Sequence, residues 1–142
     1  MGRIDDVINV AGHRLSTGSM EEIISKHRDV AECAVLGVND SLKGQVPIGF
    51  FVLKSGVTRS ADEIAAELVQ MVRKELGALA CFRQCAVVKA LPKTRSGKIL
   101  RATIRKIADG EDFEIPSTIE DASVLTGITE SARILGYGKK DL

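Results

Sequence analysis

The sequence predicts a small α+β domain in which an N-terminal β-hairpin leads into a sheet of about three strands packed with helices. Three observations carry that expectation. Apolar residues make up 44% and charged residues 27% of the 142 residues, which suits one core with an ordinary charged surface. The apolar spacing alternates between strand and helix periods, in the order helix, strand, strand, helix, strand, helix after the hairpin. Glycines and other turn formers stand at the joints.

Val7 to Val10 and His13 to Leu15 read as the hairpin, with Gly12 in its turn. Ser16 or Thr17 caps the next helix. Thr17 is the better placed, because Glu21 and Glu22 then stand near the first turn. Met20, Ile23, Ile24 and His27 fall at i, i+3, i+4 and i+7 and predict one buried face. The Val- and Ala-rich run Val30 to Val38 reads as a largely buried strand, with a turn opening at Asn39-Asp40. Val46 to Leu53 is a second strand, whose Pro47 favours a bulge or an edge.

After the linker 56–60, a helix runs from Ser60 or Ala61 to Leu76. It has Ile64, Leu68, Met71, Val72 and Leu76 on one side and Gly77 as a left-handed cap. Cys85 to Val88 is a third strand, and Leu100 to Ala108 a last clear helix that stops near Gly110. From Asp109 on, Phe113, Ile115, Ile119, Val124, Leu125 and Ile128 are irregularly spaced among acidic and hydroxyl residues. The expected organisation is a domain over 1–108 and an extension over 109–142. The extension packs on the domain, ends in a short helix and frays at its last residues.

Composition excludes several classes. A net charge of +1 gives no global pull toward nucleic acid or membrane, and 4% aromatic residues leave little to stack bases on. No apolar run approaches a membrane span, and no signal peptide is visible. The 3 cysteines, Cys33, Cys81 and Cys85, stand in apolar runs and read as buried thiols in a reducing compartment. The opening Met1-Gly2-Arg3-Ile4-Asp5-Asp6 places charges directly before a strand, as expected of an excised piece with an added Met1.

The candidate site is Pro92-Lys93-Thr94-Arg95-Ser96-Gly97-Lys98-Ile99, a basic turn between an apolar run and a helix. Gly97 lets the chain approach an anion closely, and Lys98 supplies a compact, mobile charge. A phosphate-binding P-loop is excluded. Ile99 stands where Ser or Thr would hold magnesium, and Pro92 where the motif's first glycine belongs. Catalysis at a developing oxyanion, phosphate or nucleic-acid contact, and a merely solvated basic turn all remain open here. Lys98, Arg101 and Arg105 form a basic stripe at helical spacing, and Arg14 follows the hairpin glycine, where a guanidinium can fork onto phosphate. There is no paired-carboxylate hydrolase signature, no Ser-His-Asp order and no metal cluster.

Gly2-Arg3-Ile4-Asp5-Asp6-Val7-Ile8-Asn9-Val10-Ala11-Gly12-His13-Arg14-Leu15, the run Met20-Glu21-Glu22-Ile23 and the basic turn together resemble the C-terminal domain of short-chain acyl-CoA synthetases. The acetyl-CoA and propionyl-CoA synthetases of the adenylate-forming superfamily are the nearest in kind. The resemblance covers roughly residues 2 to 108, and Ser117-Thr118-Ile119-Glu120-Asp121 in the tail is also similar. Ser16-Thr17-Gly18-Ser19-Met20-Glu21-Glu22 departs from the Gly-Thr-Ala-Glu-Ile-Glu of many acetyl-type relatives, a change of packing and capping.

The resemblance implies ATP-dependent, AMP-forming activation of propionate or acetate to its acyl-CoA, with ATP, CoA and Mg2+ as cofactors. A larger N-terminal domain, lying outside this chain, binds ATP and the carboxylate, so the chain alone is inert. By the same resemblance Lys98 is the adenylation lysine and Asp5 the hinge between two half-reactions. Arg3 lies near the ribose and phosphate, Arg14 near the phosphates, and Gly12 where the pantetheine thiol passes. Arg73 contacts a CoA phosphate. Lys98 is also a target for a lysine acyltransferase and deacylase. The implied location is cytoplasmic, or the mitochondrial matrix in a eukaryote, with no membrane or nucleic-acid partner. The other classes are a non-catalytic anion- or nucleic-acid-binding module using the basic turn and helix, and a non-catalytic interaction domain.

Overall fold

The structure, a computed structural model, describes residues 7–10, 13–40, 44–77 and 82–137. Its elements are β1 (Val7–Val10), β2 (His13–Ser16), α1 (Thr17–Ser25), β3 (Val30–Asp40), β4 (Gly44–Leu53), α2 (Ala61–Leu76), β5 (Gln84–Val87), α3 (Arg101–Ala108) and α4 (Val124–Ile134). The fold is α+β with the expected N-terminal hairpin, β1 pairing antiparallel with β2. The sheet has 5 strands, however, where about three were expected from strand patterning alone. The short hairpin strands join it, because Val10 pairs with Gly44 at the start of β4.

β4 is the centre of the sheet. One edge pairs with β3 along its length, and the other meets β1 at Gly44 and then β5, in parallel, from Ile48 to Phe51. Pro47 therefore sits in a central strand, not at a sheet edge. It is tolerated because it falls in the interval between Gly44 and Ile48, where β4's second edge carries no ladder partner among the described residues. The irregularity in the β3–β4 ladder lies between Val30 and Glu32 instead. Asn39 and Asp40 continue β3 in register with Gln45 and Gly44, where the sequence led us to expect a turn to open.

Helices cover both faces. Ala34, Leu36, Val38, Ile48 and Phe50 point to one side, against Ile104, Ile107 and Ala108 of α3 and Leu125, Ile128 and Ala132 of α4. Cys33, Val35 and Phe51 point to the other, against Met20, Ile23 and Ile24 of α1 and Ile64, Leu68 and Val72 of α2. This explains the near-continuous apolar run of β3, since a strand buried on both faces need not alternate. The cap of α1 is Ser16, whose hydroxyl accepts from Ser19 N–H, and Thr17 is buried inside the helix. At the end of α2, Gly77 takes a positive φ of 84° with ψ 170°, so the chain leaves the helix extended and does not close a left-handed turn.

His27 is buried, as its place on the α1 face predicts. Its Nδ1 accepts the Asp29 N–H at 3.1 Å, which leaves the ring proton on Nε2, 2.7 Å from Glu67 Oε1. Arg59 also bonds Glu67 and reaches Asp29 Oδ2 at 3.1 Å. Hydrogen bonds from Arg59 and then His27 hold the Glu67 carboxyl down at about 2. Cys33 and Cys85 are free and buried. Burial pushes both thiols up to about 12, with the nearby Glu21 charge adding to the rise at Cys33. Neither is a nucleophile at neutral pH. Cys81 lies outside the described residues.

Gly37 fixes how the hairpin lies on the sheet. A Cβ there would overlap Ile8 Cγ2 and stand 3.3 Å from Gln45 Nε2. Ile8 is 2% exposed and has little room to move aside. Gly37→Ala is expected to lower stability by about 1–3 kcal/mol through overpacking, read as a shift in the urea midpoint. A paired Ile8→Ala change should recover part of the loss.

Candidate functional site

The basic turn is a small hairpin rooted in the core. Leu91 is 3% exposed at its base, and Leu100 N–H bonds Pro92 C=O at 2.9 Å across its neck. Lys93 and Ile99 face each other as an antiparallel bridge. Thr94 C=O accepts Gly97 N–H at 2.8 Å, closing a four-residue turn. Gly97 has φ 94°, which an L side chain would resist, and it carries the chain back toward Ile99.

A second strand of backbone flanks the turn. Thr94 bridges Ile119, Arg95 N–H donates to Thr118 C=O at 3.0 Å, and Glu120 N–H donates to Lys93 C=O at 2.8 Å. Arg95 Nη1 also reaches Ser117 C=O at 3.2 Å. The tail thus holds the turn mainly through its main chain, not by acid–base pairing of side chains. The sequence carries no local pattern for this contact, which joins residues more than twenty positions apart.

The charges sort into spent and unspent. Lys93 pairs with Glu32 on β3. Arg101 forks onto Glu21, Nε to Oε2 at 2.9 Å and Nη2 to Oε1 at 2.6 Å. Arg105 pairs with Asp109 at 3.4 Å and Glu111 at 3.8 Å. The expected stripe of Lys98, Arg101 and Arg105 is therefore not an open basic surface. Lys98 also precedes the helix, which begins at Arg101, so it does not share the helical register. The Lys98 side chain is exposed and makes no ion pair or hydrogen bond among the described residues.

Glu21 was missed as a site-forming residue. It lies on α1, yet its Oε2 also accepts the Val35 N–H at 2.9 Å on the outer edge of β3. With Arg101 at the start of α3, it ties the two helical layers together around that edge, directly after the lysine turn. The two residues are far apart in sequence, so no spacing rule could have paired them.

Of the other site candidates, Arg14 is exposed on β2 and Arg73 is exposed in the last turn of α2. No hydrogen bond or ion pair joins the side chains of Lys98, Arg14 and Arg73 among the described residues. Arg3, Asp5 and Gly12 lie outside the described residues. No helix among the described residues is long and apolar enough to cross a membrane, and no group of His, Cys, Asp or Glu there could hold a metal ion.

Fold and turn together define a helix-covered α+β module whose basic turn presents the exposed Lys98 ammonium. The chain belongs to the family of AMP-binding enzyme C-terminal domains, whose model matches residues 19–98. Within it, the homology is to the short-chain acyl-CoA synthetases, in the AMP-forming acid–thiol ligase superfamily.

The Dictyostelium discoideum protein named acyl-CoA synthetase short-chain family member B, mitochondrial, is 52% identical over 90% of this chain and 19% of its own length. The human acyl-CoA synthetase short-chain family member 3, mitochondrial, is 48% identical over 92% of this chain and 19% of its own. Among solved structures, Brucella canis acyl-CoA synthetase superposes with a TM-score of 0.66 at 42% identity. That match covers 75% of this chain and 19% of the other. The chain thus spans about a fifth of the length of the curated relatives it matches.

Proposed function

We propose that this chain is the mobile C-terminal domain of an ATP-dependent, AMP-forming acyl-CoA synthetase that converts acetate or propionate to its CoA thioester through an acyl-adenylate. The observation that carries this reading is the exposed Lys98 ammonium just past the tip of a braced turn, in a stretch where Lys93 and Arg101 already have acidic partners. In adenylation a carboxylate oxygen attacks the α-phosphorus of ATP and pyrophosphate leaves. Lys98 sets its charge against the carboxylate and phosphate oxygens as negative charge moves onto the leaving group. Lys93 and Arg101 do not compete for the substrate anion, because their charges are answered within the chain.

The remaining roles come from the family resemblance. Asp5 is the hinge about which the domain turns between adenylation and thioester formation. Arg3 and Arg14 serve the nucleotide, Gly12 leaves a passage for the pantetheine thiol, and Arg73 contacts a CoA phosphate. The exposure of Arg14 and Arg73 suits contacts with groups outside the chain. ATP, CoA and the carboxylate are substrates. The described residues offer no ligand cluster for magnesium, so no step on this chain is assigned to it. The partner is a preceding nucleotide- and carboxylate-binding domain, and Lys98 is also the position for a lysine acyltransferase and deacylase. The relatives named as mitochondrial support a matrix location in a eukaryote, with the cytoplasm the counterpart elsewhere.

The test is the intact enzyme with ATP, CoA and a panel of carboxylates. AMP and acyl-CoA should form together, with propionate or acetate giving the highest kcat/KM. Release of ADP in place of AMP, or no turnover with either acid, would overturn the reading.

A further inference from the structure

Thr94 makes the two main-chain hydrogen bonds that close the tip of the lysine turn. Its N–H donates to Lys98 C=O at 2.8 Å, and its C=O accepts Gly97 N–H at 2.8 Å. Its Oγ1 accepts the Lys98 N–H at 3.1 Å and lies 2.9 Å from Ser96 Oγ. That hydroxyl is the one side-chain group bonded to the Lys98 main chain among the described residues. Both backbone groups of the lysine are thus held by a single residue four positions earlier.

Thr94 is itself anchored. The bridge to Ile119 fixes its far side, with Lys93 and Arg95 bonded to Glu120 and Thr118 on either hand. Ile119 is 8% exposed and belongs to the core under α3 and α4. A path of hydrogen bonds and packing therefore runs from the core, through the tail, to Thr94 and on to Lys98.

We propose that the Thr94 hydroxyl is a positioning group for Lys98, fixing the direction in which the lysine side chain leaves the turn. It touches no reacting atom. A lysine has a long flexible stem, and its charge stabilises a transition state only when placed to within a fraction of an ångström to an ångström. Holding the lysine N–H and C=O sets the Cα–Cβ vector, so only the side-chain torsions remain to be ordered. Without the Oγ1 bond, the turn keeps its main-chain closure but the Lys98 peptide can rotate.

This inference rests on the proposed function, and its test separates the two. In the intact enzyme, Thr94→Val keeps the shape and removes the acceptor, whereas Thr94→Ser keeps the acceptor. Thr94→Val should lower kcat for adenylation roughly 10- to 100-fold with little change in the KM for ATP or carboxylate. Thioester formation from supplied acyl-adenylate should stay at the parent rate, and Thr94→Ser should restore adenylation. Melting temperatures of both variants are measured alongside. The proposal is overturned if Thr94→Val adenylates like the parent, if Ser is as slow as Val, or if both half-reactions fall together. Lys98→Ala runs in parallel. If it too leaves adenylation intact, the functional reading fails; if it abolishes adenylation while Thr94→Val does not, only the positioning role fails.

Discussion

Replacing Lys98 with alanine in the intact enzyme is expected to slow acyl-adenylate formation by about 10²- to 10³-fold, the usual consequence of losing one preorganised donor to a developing charge. Thioester formation from supplied acyl-adenylate should continue near the parent rate. The asymmetry follows from the structure and the proposed rotation together. Lys98 is exposed and has no side-chain partner among the described residues, so its removal leaves no buried group behind there and the domain should fold as before. The lysine serves only while its domain is turned inward for adenylation. Carboxylate-dependent ATP–pyrophosphate exchange and single-turnover thioester formation read the two steps separately. Equal losses in both would remove Lys98 from its assigned role, and a lowered melting temperature would reassign it to structure.

The largest expected effect on stability lies at Glu21 and Arg101. Their side chains are only 13% and 15% exposed, and the Glu21 carboxylate is shared between the guanidinium and the Val35 N–H. Glu21→Ala or Arg101→Ala takes the bidentate partner from a largely buried charge and should cost about 3–5 kcal/mol, enough to lower the melting temperature by roughly 10 °C. The double change Glu21→Met/Arg101→Met removes both charges and should come back toward the parent. It falls short by about 1 kcal/mol for the lost bond to Val35. In a double-mutant cycle built from Glu21→Met, Arg101→Met and their combination, strict additivity would show that the pair is not coupled, contrary to the bidentate geometry.

Local pattern and long-range partnership divide what the sequence discloses. α2 was legible almost to the residue, because Ile64, Leu68 and Val72 repeat along one face and Ser60 and Gly77 mark its ends. The lysine turn was legible as an exposed, glycine-closed loop, and the family motif named it. Pro47 misled because its usual reading assumes an edge, and only the staggered pairing of β1 and β5 shows why a central strand accepts it. The parallel β4–β5 pairing, the Ile119 contact and the Glu21–Arg101 pair join residues far apart in the chain. Nothing in their neighbours announces them. The basic stripe failed for the same reason: the charges of Arg101 and Arg105 were visible, but the acids that answer them were not.

The two roofs of the sheet have a consequence for where such a chain can be cut. The match to the family model stops at residue 98, yet Ile104, Ile107, Ile128 and Ala132 lie over Leu36, Ile48 and Phe50. A gene fragment trimmed to that match would leave an oily sheet face wet and ready to stick to whatever it meets. The family model's match and the packed core thus set different boundaries on this chain. A ribosome has to deliver the last turn of α4 before that face can close.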